Sequence, residues 1–498
     1  MRSDKMFLAI ALTATMAIAH GANIIWSGAA EDGDWFNAAN WVAGTDAIVP
    51  SEGEFNPDGY RVLFETHNYA DGDKGKVIFS KSVTHTGTGT GYNIFDFRNT
   101  LARPVIFSAT DDAYGLTITQ GRMAIGSAST KPGKLIFEKG TYSFPDAPFL
   151  VGTSAEGQVE INGATVSMLD RLNMGTDTTA SPIGNGILTL NSGKLTVNTY
   201  NSSNPSVAIG FSKGNNATLN VKGGELNTTG AFRIASAENS VGAFNISGGD
   251  VTINNGDLTI CANSGATGEL NMSGGTLTMN YDLKVGYSGN ATGSAVFSGG
   301  KANIHGINLA GNNGIATMTV KEDADVKVTT SVVSIGHGTG GTGTLVLEGG
   351  VFSAPGLKQN SGTGKLQFNG GTLKANGASS EFITANLPCE ILAGGATIDT
   401  DYPVTVKATS FSGVGGLTKK GSGTPDDFDE PKVGPLSRRE IDVLSYIAQG
   451  KTHEEIGIIG GISAETVRSH MKSILRKLDC ANAPAAVSRA YELGILRA

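Results

Sequence analysis

The stretch TVRSHMKSILRKL, residues 466–478, spaces its cations to act together. Set on a helix at about 100° per residue, Arg468, Lys472 and Arg476 fall on one side with Ser469 and Glu465. Val467, Met471, Ile474, Leu475 and Leu478 gather on the other. Long cations on an exposed helix face bind oxygen-rich anions, and a planar guanidinium also fits the acceptor edge of guanine. Such a stripe taken alone is ordinary solvated surface, so the elements that carry it decide its meaning.

Other residues with chemical potential are sparse. Asp111-Asp112 in ATDDAYG is a paired carboxylate inside a Gly-flanked turn and reads as part of that turn. Glu322, Asp323 and Asp325 in KEDADVK could offer oxygens to a divalent cation, but they stand where neighbouring segments place Gly-Gly, which favours a solvated turn. Between residues 120 and 400 the histidines are His305 and His337, and the arginines Arg122, Arg171 and Arg233. Cleaving a sugar chain requires grouped carboxylates or cations that hold the substrate and move a proton, so no catalytic residues are assigned and the chain reads as non-enzymatic. Cys261, Cys389 and Cys480 are too few and too scattered for a disulfide framework or a zinc site, and no metal or cofactor is expected.

The cationic stripe lies in a segment rich in helix-start signals. Ser437 with Glu440 forms a capping box, flanked by Leu436 and Ile441 at the staple positions, and the helix it opens runs to Gly450. Thr452 with Glu455 opens a short second helix that ends at Gly460-Gly461. Ser463 caps the third helix, and Asn482 begins a fourth that closes at Gly494. Two short helices joined by a tight Gly turn make a helix-turn-helix frame, whose second helix is the one that enters a DNA major groove. His470 borders the apolar face and reads as a packed or phosphate-touching residue rather than a catalytic one.

The segment from LSRRE through TVRSHMKSILRKL to Gly494 closely resembles the LuxR-type (GerE) DNA-binding domain of bacterial transcription regulators, across residues 436–496. The resemblance implies that Arg468, Ser469 and Lys472 face base edges and that Thr466 and Lys477 contact phosphate. It also implies that Ala486, Val487 and Ala490 pair two copies on a two-fold site. Double-stranded DNA is the implied partner, bound as a homodimer, with transcription control as the function. The sequence departs from the family at Gly460, where a leucine is common, and at NAPA, which replaces the usual Asn-Arg-Thr before the last helix.

The rest of the chain is of a different kind. Of 498 residues, 70 are glycine and only 16% are charged, and the net charge of −8 argues against non-specific nucleic-acid binding by the whole molecule. From residue 436 onward nine Lys and Arg face seven Asp and Glu, a balance of +2, so the remainder carries −10. A tetrad of apolar, any, apolar and Gly/Ala/Cys recurs at positions ending Gly126, Gly152, Gly175, Gly210, Ala235, Cys261, Gly286, Ala310 and Gly336. That is a period of about 25, with one insertion around NTYNSSNPS. Each unit adds short alternating strands, as in GELNMSGGTLTMN, and cannot bury its own apolar side chains; stacked units can.

The expected fold is therefore mostly β, a right-handed parallel β-helix, followed by the small all-α domain. The repeats resemble the passenger-type β-helices of exported bacterial surface proteins, and GVGGLTKKGSGT at 413–424 is similar to the autotransporter-associated strand repeat. This resemblance implies a surface or adhesive module with cell-surface or polysaccharide contacts. The opening segment holds Trp26, Trp35 and Trp41, an aromatic plug suited to cover the first coil. Before it, Arg2, Lys5, an apolar run from Met6 to Ala19 and the small residues Ala17-Ile18-Ala19 have the layout of a cleavable secretory signal.

The chain thus divides into a leader at 1–22, a Trp-rich opening with first β coils at 23–114, repeats at 115–424, a seam at 425–435 and the helical domain at 436–498. A leader implies export or the cell surface, whereas a DNA-binding domain implies the cytoplasm. Two readings compete: a DNA-binding regulator fused to a passive solenoid, and an exported β-helix with an inert helical tail, with a carbohydrate-active β-helix as a weaker third.

Overall fold

The computed structural model describes residues 23–43, 53–55, 61–65, 75–85, 93–127, 131–176, 184–199, 205–408, 411–422, 425–426, 436–460, 462–493 and 495–496. The leader expected at residues 1–22 lies outside them, as does most of the seam. Up to Asp426 the chain is a parallel β-solenoid, and from Arg438 it is helical.

The solenoid follows from the 25-residue period. Thr267–Met272 pairs in parallel with Thr292–Phe297, setting Leu270 beside Ala295 and Met272 beside Phe297. The same relation repeats along three ladders, one for each side of the coil. Because side chains alternate along a strand, one face of each ladder turns inward. Leu219, Phe244, Leu270, Ala295, Met318 and Leu345 form one such buried column, and Leu226, Val251, Leu277, Ala302, Val326 and Phe352 another. Outward positions stack as well: Asn271 Nδ2 donates to Asn245 Oδ1 at 3.1 Å, and Asn245 Nδ2 to Asn220 Oδ1 at 2.9 Å.

The tetrad has a backbone cause. Its last residue lies in the left-handed region in every repeat, with φ between 51° and 71° from Gly126 to Gly336. This is the bend between two sides of the coil, and small residues suit it because the neighbouring rung is close. A Cβ added at Gly152 would fall 2.1 Å from the Asn185 carbonyl oxygen. Ala235, Cys261 and Ala310 nevertheless hold the same bend with a side chain. Cys261 is enclosed there, and burial pushes its thiol up to about 12.

The three tryptophans gather at the first coil. Trp41 meets Trp26 edge-on at 4.9 Å and Trp35 at 4.7 Å, and Trp35 stacks on Phe79 at 5.1 Å. Asn23–Trp26 pairs antiparallel with Trp41–Ala43 and parallel with Arg61–Glu65, which ties this aromatic cluster to the ladder. At the other end the ladder continues past residue 424. Pro425 and Asp426 pair with Val404 and Thr405, completing the third side of the last rung.

The helical part has its own core. It contains α1 (Arg438–Ala448), α2 (His453–Gly460), α3 (Ala464–Lys477) and α4 (Ala483–Glu492). Leu436, Leu444, Ile456, Val467, Ile474, Ala486 and Ala490 close around one another. Among the described residues no helix is long and apolar enough to cross a membrane.

Candidate nucleic-acid interface

Local capping places the helices. Ser437 Oγ accepts from the Glu440 amide while Glu440 Oε2 accepts from the Ser437 amide at 2.7 Å, and Thr452 with Glu455 repeats the arrangement on α2. Ser463 Oγ accepts from the Thr466 amide at 3.0 Å, and Asn482 Oδ1 from the Ala485 amide at 3.0 Å. Each cap satisfies amides that the helix itself leaves unpaired, so the four start points expected from sequence are the four observed.

Within α3, Val467, Met471, Ile474 and the following Leu478 are buried, which fixes the rotation of the helix. Thr466, Arg468, Ser469, Lys472 and Arg476 are consequently exposed together, and His470 is half-buried at the border. Lys472 and Arg476 have no ion-pair partner among the described residues. Arg468 is held twice: Nη2 lies 2.9 Å from Glu454 Oε1 on α2, and Nη1 lies 3.0 Å from Glu465 Oε2 on α3. Sequence spacing contains the Glu465 partner, three residues before Arg468, but not Glu454, which the turn brings in.

Some of the expected site residues are engaged within the domain itself. Lys477 does not join the free cations. Its Nζ lies 2.7 Å from Glu440 Oε2, and the carboxylate is only 4% exposed, so Lys477 fastens the end of α3 to the start of α1. Burial alone would raise the Glu440 carboxyl, but hydrogen bonds from Lys477, Ser437 and Ser473 hold it below its ordinary value. Ala486 and Ala490 are fully enclosed by their own domain and present no surface to a second copy, while Val487 is half-buried. The exposed side of α4 carries Tyr491, with Leu493 just after the helix.

Gly460 lacks a side chain without being a strained turn. A Cβ there would meet Ile462 at 3.6 Å, an ordinary contact. Beside it Ile458 and Ile459 point outward, 83% and 51% exposed.

On the solenoid, Asp111 accepts from the Ala113 amide and shapes a turn. Glu322 has φ 54° and pairs opposite Gly349, the turn position read from the sequence. Glu322, Asp323 and Asp325 line an open groove of about 920 Å³ with Lys327, Lys374 and Tyr402. A carboxylate–imidazole pair was not legible: His305 Nδ1 lies 2.9 Å from Asp282 Oδ1, and Asn308 donates to Asp282 Oδ2 at 3.0 Å. These residues meet only because consecutive coils stack. No group of three or more His, Cys, Asp or Glu side chains suited to a metal occurs among the described residues.

Residues 434–490 match the family model of bacterial regulatory proteins, luxR family. The chain is 48% identical over 61 residues to the transcriptional activator protein PhzR of Pseudomonas fluorescens, a match covering 12% of this chain and 25% of that protein. It is 47% identical over 62 residues to the HTH-type quorum sensing-dependent transcriptional regulator RpaR of Rhodopseudomonas palustris, 12% of this chain and 26% of that one. With the transcriptional activator protein CarR of Pectobacterium carotovorum it shares 39% over 67 residues, 14% and 28% of the two chains. The chain thus spans about a quarter of the length of these relatives. No solved structure matches it. The four C-terminal helices are a LuxR-type helix-turn-helix domain.

Proposed function

We propose that the C-terminal domain binds double-stranded DNA with sequence preference and that the chain regulates transcription through it. The observation that carries this reading is α3: one face is locked into the core, while Arg468, Ser469 and Lys472 are exposed on the second helix of a LuxR-type frame. Arg468 and Lys472 have the reach and donors for guanine O6 and N7, and Ser469 is a less selective reader. Thr466, exposed at the first turn of α3, has a hydroxyl suited to phosphate. Two copies bind as a homodimer on a two-fold site, with the exposed side of α4 rather than Ala486 and Ala490 available for pairing. The test is selection of a preferred duplex from a random pool by the full chain, followed by a salt series. Equal affinity for selected and scrambled duplexes would overturn the reading.

For the solenoid we infer a non-catalytic binding surface, the role of the exported β-helix reading. Its outward ladders of Asn and Thr, such as Asn220, Asn245 and Asn271, and the open groove at Lys327 and Tyr402 support contact with a polysaccharide or a cell surface. Fractionation of cells producing the full chain separates the two destinations. Recovery with the nucleoid, uncleaved, favours the regulator; a surface-exposed, leader-processed form favours the exported module.

A further inference from the structure

We infer that Glu454 and Glu465 form a carboxylate fork that positions the Arg468 guanidinium and filters what α3 accepts; the inference rests on the reading that α3 enters the major groove. The fork comes from two separate elements. The Thr452 cap places Glu454 in the first turn of α2, and the Ser463 cap places Glu465 in the first turn of α3. Both carboxylates sit near helix N-termini, where negative charge is favoured, and they reach Nη2 and Nη1 of one guanidinium at 2.9 and 3.0 Å.

The donor count gives the fork its function. A guanidinium has five N–H groups, and the two carboxylates engage one on each terminal nitrogen. The remaining three stay free to meet a base edge, so Arg468 can read DNA without leaving the fork. Held at two points, it also loses the freedom to swing onto a nearby phosphate. The carboxylates themselves are 64% and 83% exposed, and they repel the phosphate backbone wherever no base contact compensates. Lys472 and Arg476 further along α3 have no such restraint. Arg468 is the discriminating contact, and the fork trades general affinity for that discrimination.

The experiment uses the full chain and its own selected duplex, with E454Q, E465Q and the double variant measured by fluorescence anisotropy over a salt series. E238Q is the control, because it removes the same charge from an exposed pair on the solenoid, where Glu238 Oε1 lies 2.9 Å from Lys213 Nζ, away from both α3 and the pairing side of α4. The fork variants are expected to bind scrambled DNA several-fold more tightly and to gain about one unit of salt slope as Arg468 reaches phosphate. They are also expected to lose about tenfold in the ratio of selected to scrambled affinity, with relaxed preference at the base pair that Arg468→Ala also affects. Thermal unfolding should match the parent. If E454Q and E465Q behave as E238Q does while the parent remains selective, the fork is overturned and the DNA reading stands. A parent that selects no duplex overturns both.

Discussion

Lys477 Nζ and Glu440 Oε2 lie 2.7 Å apart, joining residues 37 positions apart in sequence at the point where α3 leaves the core and α1 begins. The carboxylate also accepts from the Ser437 amide, so the same oxygen serves an ion pair and a helix cap. Lys477→Ala leaves a nearly enclosed carboxylate without its cation and should lower the helical domain's stability by about 1–3 kcal/mol, read from its chemical-unfolding midpoint. Since Lys477 is engaged inside the domain, the salt slope of DNA binding should stay at the parent value. A slope lowered by about one unit in a folded variant would return Lys477 to the phosphate role.

The same pair sets an acid limit. Glu440 titrates below its ordinary value of 4.5, so the folded domain favours the ionised form. The resulting stabilisation is complete above that ordinary value and is lost as pH falls through the lower folded value. Glu440→Gln should flatten the acid limb of the domain's stability profile, measured by unfolding at a series of pH values from neutral downward, and leave the neutral-to-alkaline limb unchanged in shape.

Arg468→Ala and Lys472→Ala should each weaken the selected duplex by about 1–3 kcal/mol without loss of fold, because both side chains project away from Val467, Met471 and Ile474. Competition binding with single-base variants of the duplex checks this. Unaltered affinity in a folded variant would mean that the stripe does not meet DNA.

Gly460→Ala should stabilise the helical domain by up to about 1 kcal/mol, since the new methyl finds only ordinary contact with Ile462 and a glycine gives way to a better helix former. Thermal melting provides the readout.

Gly286→Ala tests the solenoid bend. Its φ is 58° and an added Cβ would fall 2.2 Å from the Ile315 carbonyl oxygen, so the neighbouring rung must move. The cost should exceed about 2 kcal/mol, seen as earlier proteolysis of the repeats than in the parent.

What sequence reveals here depends on how local the cause is. The helix starts at Ser437, Thr452, Ser463 and Asn482 are visible because each cap involves residues three apart. The solenoid is visible because stacking demands the same pattern at every rung. Ala486 and Ala490 are ambiguous in sequence for a related reason: small residues four apart on a helix look the same whether they pack against their own core or against a second copy, and here they are buried in their own domain. The partners of Arg468 and Lys477 depend on how α2, α3 and α1 pack, and no spacing rule encodes Glu454 or Glu440 in those roles. Asp282 and His305 meet across a rung boundary, where a shift of one residue in the loop between them would have separated them.

The last rung of the solenoid has a further consequence. Leu417–Lys420 is bonded to Ala396–Asp399 on one side, no described strand pairs on the other, and Val414 nearby is 84% exposed. A coil in this position keeps its register without a strand beyond it, because each rung is held by the one before. The length of the array is therefore quantised but not fixed, like a ruler graduated in steps of about 25 residues with no final mark. Deleting or duplicating one whole graduation would leave every other rung in register, whereas adding one residue within a paired strand would turn its apolar side chains outward. A polypeptide built this way can be joined to an unrelated domain after any complete turn, and the chemistry of neither part would register the joint.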